Sequence, residues 1–475
     1  MAGSGDARRH QGQPVSSDIT PWREQALHDS TLWEDFNALC DFGGRLAGGG
    51  GDSLAVDWAV ARLRDAMGSR GDVRRLEIPF PGWSLSRASL ASEAHPDRRW
   101  RCMPLLRSAS TGPQGLVAPV VDLGAGRPDD FSRMANQLGG AIALVEHEYP
   151  FSPDHVHRRR KYDAARAAGA AGFLIANPWP GGGLMSGSSG RAPDAPGIPA
   201  AYVDARTGSQ LRELINAGAP DVRLTLVGEE ERNATAGIAI AELRGGRDDW
   251  IVISAHIDGH PLAESALDNA SGTAVAIAAA RALAAHVGSD TASLRIALFN
   301  AEEWALAGSA HYLDSLSTEA RSQIRLNINL DTVAGDETLT ALTSGFPALE
   351  PFLRACAAQA GLDLGVWLPL MPNSDHANFA KQGIPALRLV AGFDRPQSRV
   401  RAILSGDDRR ELAKPEELVQ ALALTGEIAE RALRSSTESL RALADLGTLA
   451  GKHEGQERIS SLNVGGPSAE RPPLA

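Results

Sequence analysis

The sequence predicts an α/β protein with a mixed, mostly parallel central sheet, helices on both faces of that sheet, and an inserted small β-rich domain. Near-continuous apolar runs at 250–257, 294–300 and 326–330 alternate with helical runs. This pattern is typical of strands that are buried on both faces of an α/β sheet. Between 109 and 225, by contrast, short strand-like runs predominate and helices are few, which indicates a separate domain.

Length and composition limit the class of protein further. A chain of 475 residues with 43% apolar and 22% charged residues is typical of a globular protein with two or three domains. The net charge of −11 argues against a nucleic-acid partner, because nucleic-acid binders usually carry a basic surface. Three widely spaced cysteines, Cys40, Cys102 and Cys356, cannot form a disulfide framework or a cysteine-type zinc site.

No segment of the sequence is predicted to act as an export signal or a membrane anchor. Residues 10–24 are polar, where a signal peptide needs roughly 7–15 apolar residues. The most apolar stretch, 273–285, is short and contains Arg281, whereas a membrane span needs about 20 apolar residues. We therefore expect a cytoplasmic protein with no membrane partner. The number of subunits is not defined by the sequence.

The first part of the main domain is predicted at 21–108, after a disordered N-terminus at 1–20. Helical spacing of apolar residues begins near Ser30. A glycine-rich stretch follows at 43–51. It follows no clear strand and lacks the Lys-Ser/Thr pair of a phosphate-binding loop, so we interpret it as a flexible loop. Alternating runs from 73 to 108 predict strands.

The inserted domain is predicted at 109–225. Its sequence contains no cluster of metal-ligand residue types. Its charged residues are concentrated in the basic run 158–161, which lies beside His155 and His157. Runs of like charge usually lie in solvent, so we interpret this run as a solvated face rather than as a ligand site.

The main domain is predicted to resume at 226–440, followed by a loose tail at 441–475. Its first two strands, at 236–243 and 250–257, are expected to be neighbours in the sheet. The elements that follow are predicted as helix 270–287, strand 294–300, helix 304–314, strands 326–331 and 339–343, helix 348–360, strand 385–390 and a helix from 415 to about 433.

Side chains that bind metals collect at the ends of these predicted strands. The candidates are His256, Asp268, Glu302, Glu303, Asp331 and His376. Open α/β sheets bind ligands in the crevice outside the carboxyl ends of their strands. A dinuclear site holds two metals about 3.5–4 Å apart and usually shares a carboxylate between them. With one histidine and one further carboxylate for each metal, the set leaves one carboxylate over to take a proton from water.

The spacing of neighbouring candidates suggests how they divide these tasks. Of Glu302 and Glu303, one can point to metal and the other to water, because successive residues diverge in direction. Asp258 shares a face with His256 on an extended segment, so it can hydrogen-bond the imidazole or lie beneath the metals. Each piece alone has a structural explanation, such as a helix N-cap for Asp268. Their coincidence at strand ends favours a metal site.

Five motifs in order resemble the zinc aminopeptidase family, which includes aminopeptidase Y and, more distantly, glutamate carboxypeptidase II and the transferrin receptor. The motifs are Ala255-His256-Ile-Asp258, Leu267-Asp268-Asn269-Ala-Ser-Gly272, Ala301-Glu302-Glu303, Asn329-Leu-Asp331 and Ser374-Asp375-His376-Ala-Asn-Phe379. The resemblance covers about 25–105 and 230–437 and implies the zinc exopeptidase fold. The inserted region resembles the protease-associated domain that many members carry in the same place.

The resemblance also implies a cofactor, a reaction and residue roles. It implies two Zn²⁺ per chain, although other divalent metals are possible. The implied ligands are Asp268 as the bridge, His256 and Asp331 at one metal, and Glu303 and His376 at the other. Glu302 would be the general base and acid, and Asp258 would support the ligands. The implied reaction is hydrolysis of a peptide or an amino-acid conjugate by a metal-bridging hydroxide, with release of the N-terminal residue.

The sequence departs from this family in two places, and alternative functions stay open. Many members use a tyrosine to hold the oxyanion, whereas the last tyrosine here is Tyr312. A His-Thr-x-x-Asp segment of many members is replaced by Leu404-Ser-Gly-Asp-Asp-Arg409. The alternatives are a carboxypeptidase or dipeptidase, a glutaminyl-cyclase-like acyl transferase, and a non-catalytic binding module. The insert favours a peptidase over the acyl transferase, and the complete ligand set argues against the binding module.

Overall fold

A computed structural model describes residues 21–27, 29–192 and 194–446. The predicted disordered N-terminus at 1–20 and most of the predicted tail at 441–475 lie outside these residues.

The strands are β1 (Asp72–Pro79), β2 (Gly82–Ser92), β3 (Arg99–Trp100), β4 (Met103–Pro104), β5 (Leu116–Asp122), β6 (Ile142–Glu146), β7 (Gly172–Ala176), β8 (Ala200–Val203), β9 (Asp221–Glu231), β10 (Thr235–Leu243), β11 (Trp250–His256), β12 (Ser293–Phe299), β13 (Ile324–Leu330), β14 (Leu339–Leu342), β15 (Leu364–Trp367) and β16 (Ala386–Ala391). The helices are α1 (Pro21–Leu27), α2 (Thr31–Asp41), α3 (Gly51–Met67), α4 (Pro128–Leu138), α5 (Arg158–Ala167), α6 (Ala205–Asn216), α7 (Ser271–Leu283), α8 (Ala307–Ser315), α9 (Thr318–Ser322), α10 (Leu349–Ala360), α11 (His376–Lys381), α12 (Pro415–Arg434) and α13 (Thr437–Ala442).

The first sheet has the strand order β1-β10-β12-β11-β13-β16-β14-β15. Strands β12, β11, β13 and β16 run parallel to one another. Strand β10 is antiparallel to both β1 and β12, whereas β14 is antiparallel to β16 and parallel to β15. The predicted mixed, mostly parallel sheet is therefore confirmed. The prediction that 236–243 and 250–257 are neighbours is wrong, because β12 lies between β10 and β11. The crossover through α7 returns β12 to the side of β11, and β10 takes the outer position.

Burial explains why the central strands are so apolar. Every residue of β11 and of β12 is buried, as expected for strands that have a neighbour on each side and helices on both faces. Helices α2, α3, α7 and α12 pack together, and α7 and α12 contact β11. Helices α8 and α11 contact each other and pack on β1, β13 and β16. The result is a rigid sheet whose carboxyl-terminal edge can hold side chains in fixed positions.

Helix α7 has small side chains because it is the most enclosed of these helices. It is rich in alanine, and all of its residues except Arg281 are buried. Alanine lets the helix lie close to the sheet and to its helical neighbours while keeping the highest helix propensity. Arg281 lies at the partly exposed end and pairs with Asp29 at 2.7 Å and with Asp35 at 2.7 Å.

The second sheet has the strand order β3-β2-β9-β5-β6-β7-β8-β4. Strands β5 to β8 run parallel; α4 connects β5 to β6, α5 connects β6 to β7, and α6 connects β8 to β9. This sheet is wider than the predicted insert at 109–225, because it also takes in β2 to β4 and the whole of β9. Where the domains divide stays a prediction, and we propose that the insert extends over residues 80–234.

The structure corrects the interpretation of the basic run 158–161 as a solvated face. The Lys161 side chain is fully buried, and its Nζ donates to the carbonyl oxygens of Ala125 (2.6 Å) and Glu146 (2.8 Å). The Arg158 Nε donates to the carbonyl oxygen of Ser188 at 3.1 Å. Loop carbonyls therefore pair with part of the run that the sequence suggested would face water.

Within the described ranges, no helix combines the length and the apolar character that crossing a bilayer requires.

Candidate active site

Three adjacent parallel strands deliver the candidate ligands to one edge of the first sheet. His256 is the last residue of β11, Asp331 follows β13, and Glu302 and Glu303 lie just beyond β12. Since β11 pairs with β12 on one side and with β13 on the other, the carboxyl ends of all three strands meet. This is the position at which open α/β sheets bind ligands.

The first group of ligand atoms joins His256, Asp268 and Asp331. The Nε2 atom of His256 lies 3.1 Å from Oδ1 of Asp268 and 3.6 Å from Oδ1 of Asp331. On the other side of the ring, Nδ1 lies 3.2 Å from the carbonyl oxygen of Asp258. A proton on Nδ1 would satisfy that contact and leave the Nε2 lone pair facing the two carboxylates. Nε2 is buried and has no hydrogen-bond partner, so the geometry suits a cation between the three.

The second group joins His260, Asp268 and Glu303. The Nε2 atom of His260 lies 2.8 Å from Oε1 of Glu303 and 3.6 Å from Oδ2 of Asp268. Both ring nitrogens of His260 and Oε1 of Glu303 are buried without a hydrogen-bond partner. Asp268 therefore offers one oxygen to each group, which is what a bridging carboxylate does in a two-metal site.

The sequence predicted His376 as the second histidine ligand and did not indicate His260. The ring of His376 belongs to none of the groups whose ligand atoms lie within 4.8 Å of one another, although both of its nitrogens are buried without a hydrogen-bond partner. Burial, together with the charge of Arg388, lowers the pKa of His376 to about 3. The signal that could have found His260 is its position four residues after His256, directly beyond the end of β11.

The loop that carries His260 is fixed by the glycine-rich stretch 43–51. The guanidinium of Arg45 is fully buried and donates to the carbonyl oxygens of Ile257 (2.9 Å), Glu264 (2.6 Å) and Ser265 (2.9 Å). A Cβ at Gly44 would lie 2.7 Å from the carbonyl oxygen of His260, so only glycine allows this approach. The stretch interpreted as a flexible loop is therefore a packed support beneath the ligand loop.

The two glutamates are held by Asp258. The backbone nitrogen of Glu302 donates to Oδ1 of Asp258 (3.2 Å), and that of Glu303 donates to Oδ2 (3.1 Å). These two hydrogen bonds fix the start of the turn after β12. Oε1 of Glu303 faces His260, and a carboxylate oxygen from each glutamate also lies within 4.8 Å of a ring nitrogen of His256.

The turn that carries Asp268 is held by bonds from several directions. The carboxylate of Asp408 accepts hydrogen bonds from the backbone nitrogens of Leu267 (2.8 Å) and Asp268 (3.2 Å). The side chain of Asn269 donates to the carbonyl oxygen of Leu330 (2.9 Å) and accepts from the backbone of Thr332 (3.2 Å). Asn269 therefore ties the Asp268 turn to the turn that carries Asp331.

The charges of the site require a cation. Burial alone would lower the pKa of His260, but Glu303 and Asp268 outweigh it and raise that pKa to about 10. Burial, reinforced by Glu303, raises the pKa of Glu302 well above its usual range, although His256 opposes it. Several carboxylates without enough positive partners are costly inside a protein. Carboxylate and imidazole ligands around unpartnered atoms fit zinc.

The insert contacts the part of the main domain that follows β16. The backbone nitrogen of Ser186 donates to the carbonyl oxygen of Leu404 at 2.7 Å, and Met185 forms an antiparallel bridge with Ser405. The hydroxyl of Tyr149 donates to the carbonyl oxygen of Gly392 at 2.7 Å. The loop 404–409, which stands in place of the family's His-Thr-x-x-Asp segment, is therefore in contact with the insert.

Comparison with known proteins agrees with this fold. Residues 239–412 match the model described as "Peptidase family M28", and residues 115–211 match the "PA domain". The chain is 30% identical over 292 residues to "Aminopeptidase YwaD" of Bacillus subtilis, covering 60% of each chain. It is 28% identical over 405 residues to "Probable lipoprotein aminopeptidase LpqL" of Mycobacterium tuberculosis, covering 80% of this chain and 75% of that protein.

Solved structures lead to the same family. The structure titled "The structure of BSAP, a zinc aminopeptidase from Bacillus subtilis" superposes with a TM-score of 0.66 and 25% sequence identity, covering 87% of this chain and 96% of that one. The chain is similar to peptidase family M28 over residues 239–412 and to the PA domain over residues 115–211. It spans 60% of the length of the Bacillus subtilis relative YwaD.

Proposed function

We propose that the chain is a metal-dependent aminopeptidase that hydrolyses peptide bonds and releases N-terminal residues. The observation that carries this proposal is the pair of ligand groups that share Asp268, with Glu302 beside them. The names of the relatives support the same activity. A peptide or an amino-acid conjugate is the substrate class that such a site would take.

The proposed ligand set holds two zinc ions. His256, Asp268 and Asp331 would hold one, and His260, Asp268 and Glu303 would hold the other. His260 replaces His376 in this set, because its Nε2 atom lies beside Glu303. When bound, zinc supplies a Lewis acid and lowers the pKa of water.

The residues around the metals would divide the remaining work. Glu302 takes a proton from the attacking water and returns it to the leaving amine, as the scissile C–N bond breaks and a C–O bond forms. Asp258 keeps Glu302 and Glu303 in place through their backbone nitrogens. Arg388 holds Asp331 ionised: burial raises the pKa of this carboxyl, but Arg388 and His256 outweigh burial and lower it.

The test of this function is a comparison between zinc-loaded protein and its Glu302→Gln variant. Both are assayed on amino-acid amides and on N-terminally blocked amides of the same residues. We expect the wild-type protein to hydrolyse only the unblocked amides and the variant to be nearly inactive. Equal release of product by the two proteins would refute the catalytic role. Cleavage of blocked peptides from the carboxyl end would instead indicate a carboxypeptidase.

A further inference from the structure

One charged side chain interrupts the apolar strand β16. Arg388 lies in this strand between β13 and β14, and its side chain is buried. A buried charge is costly unless its donors have partners. Nε and Nη2 of Arg388 donate to the carbonyl oxygen of Asp331 at 3.3 Å, and Nη1 donates to Oδ1 of Asn373 at 3.1 Å. The guanidinium therefore joins β16 to the turn after β13 and to the segment before α11.

The same guanidinium also pairs with the carboxylate of a candidate metal ligand. Nη2 of Arg388 lies 3.0 Å from Oδ1 of Asp331. This is the oxygen that lies 3.6 Å from Nε2 of His256 in the first ligand group. Arg388 thus binds the backbone carbonyl and the carboxylate of Asp331 at once, and its rigid planar shape leaves that side chain little freedom to turn. Groups that hold a metal ligand in this way orient it and tune the affinity for the metal.

The insert contributes an aromatic ring to this arrangement. Cζ of Arg388 lies over the ring of Phe151, 4.7 Å from the ring centroid, and both side chains are buried. A cation is attracted to the face of an aromatic ring, most strongly where both are removed from water. The ring therefore favours one position of the guanidinium, which is the position that holds Asp331.

Phe151 is itself fixed where the insert meets the loop after β16. Its carbonyl oxygen accepts a hydrogen bond from the backbone nitrogen of Asp394 at 2.8 Å. The ring of Tyr149 packs against it edge to face, with 5.9 Å between the centroids. The hydroxyl of Tyr149 contacts Gly392 and not the guanidinium. Two aromatic residues thus dock the same short segment, and Phe151 is the one that stacks on Arg388.

We propose that Phe151 is a positioning residue for the metal site. Its ring holds the guanidinium of Arg388, and Arg388 holds Asp331 in the orientation that binds the zinc ion of the first ligand group. This inference rests on the proposed function. The second ligand group does not include Asp331, so its metal should not respond. The affinity for one of the two metals would then depend on the docking of the insert.

The test compares two changes in the same segment of the insert. Phe151→Leu keeps an apolar side chain but removes the ring face, while the matched control Tyr149→Phe removes only the hydroxyl. Chelator competition on the full chain measures the affinity for each zinc ion. We expect Phe151→Leu to weaken one ion by about 3- to 30-fold, as is usual for a residue that acts through the partner of a ligand. The other ion, and both ions in Tyr149→Phe, should stay within about twofold.

Three results would overturn the inference. Unchanged affinities in Phe151→Leu would show that the ring does not act on the metal site. Equal weakening of both zinc ions would show that its effect is not confined to the group with Asp331. Equal weakening by Phe151→Leu and Tyr149→Phe would show that docking of the insert as a whole matters, rather than the ring on Arg388.

A double-mutant cycle tests whether Phe151 acts through Arg388. Arg388→Gln removes the guanidinium on which the ring stacks. In that background Phe151→Leu should change zinc affinity by less than about twofold, because the contact that it removes is already absent. The full effect of Phe151→Leu in Arg388→Gln protein would overturn the route through Arg388. If the Arg388 variant does not fold, the comparison of Phe151→Leu with Tyr149→Phe still decides.

Zinc binding separates this inference from the proposed function. Wild-type protein that shows the expected affinities but hydrolyses no amino-acid amide would refute the proposed function and support the inference. Wild-type protein that takes up no zinc would overturn the inference. If the protein is active, hydrolysis of leucine amide by Phe151→Leu should fall at limiting zinc and return to the wild-type rate in excess zinc. Activity that excess zinc does not restore would overturn the positioning role, because the change would then have damaged the fold.

Discussion

The Nε2 atom of His260 lies 2.8 Å from Oε1 of Glu303 without hydrogen-bonding to it. Two buried polar atoms at this distance, neither of which has a hydrogen-bond partner, suit a common third partner such as a cation. Asp268 completes the group from the opposite side. This pair belongs to the second ligand group, for which the sequence predicted His376 as the histidine ligand.

His260 and His376 can be separated by counting metal. We expect His260→Ala to lose about one of two zinc ions per chain, because the second group would keep only its two carboxylates. His376→Ala should keep both ions. Elemental analysis of gel-filtered protein measures the ratio. Loss of zinc from the His376 variant with retention in the His260 variant would restore the ligand set predicted from the sequence.

Glu302 and Glu303 should differ in what their loss removes. We expect Glu302→Gln to retain zinc while kcat falls about 10²- to 10⁴-fold, the usual contribution of a general base. Glu303→Gln should lose zinc from the second group, since Oε1 of Glu303 faces His260. The two isosteric variants serve as controls for each other. Zinc loss from the Glu302 variant would contradict this division.

Asp408 should control metal affinity from a distance, although it is not among the ligands. Asp408→Asn leaves one acceptor oxygen for the two backbone nitrogens that the carboxylate now binds. The Asp268 turn would loosen, and we expect zinc affinity to fall about 10- to 100-fold. Chelator competition measures it. The exposed neighbour supplies the control, Asp407→Asn, and equal affinities for the two variants would exclude the role.

The insert should become less stable in mild acid. Burial, together with Arg158 and Lys161, lowers the pKa of His147 well below its ordinary value of 6.5. Below pH 6.5 the unfolded chain therefore takes up a proton that the folded chain does not, and stability falls as the pH falls. Each such histidine contributes a slope of about 1.4 kcal/mol per pH unit.

The His147→Gln variant removes this titration and tests whether it lowers the stability of the folded protein in acid. We expect urea unfolding of metal-free protein between pH 6.5 and pH 5 to show a smaller loss of stability in the variant than in the wild type. Metal-free protein avoids the separate effect of acid on metal binding. A steeper loss in the variant would show that His147 is charged in the folded chain.

Much of the site could be predicted because parallel strands impose its geometry. His256, Asp331 and the two glutamates follow apolar runs, and the carboxyl ends of such runs meet at one edge of a sheet. The fold class followed from the same runs. The neighbour relation of β10 and β11 did not, since strand order depends on how α7 crosses the sheet.

Loop conformation explains what the sequence did not reveal. His260 lies in an irregular loop whose path is set by Arg45, more than two hundred residues earlier in the chain. Lys161 is part of a run that looks solvated, yet it donates to a loop carbonyl at Ala125 and to the carbonyl at the end of β6, Glu146. Contacts of this kind join distant segments and leave no local pattern, so periodicity and spacing could not indicate them.

The chain leaves the first sheet after β1 and returns to it at β10. Pro79 and Thr235 face each other across the antiparallel pair β1–β10, and Gly82 and Glu231 do so across β2–β9. The whole insert therefore occupies the position of a hairpin loop. Exchanging it for another module would leave the pairing of β1 with β10 intact. None of the residues of the ligand groups lies between 80 and 234, so the insert can change in evolution while those residues stay the same.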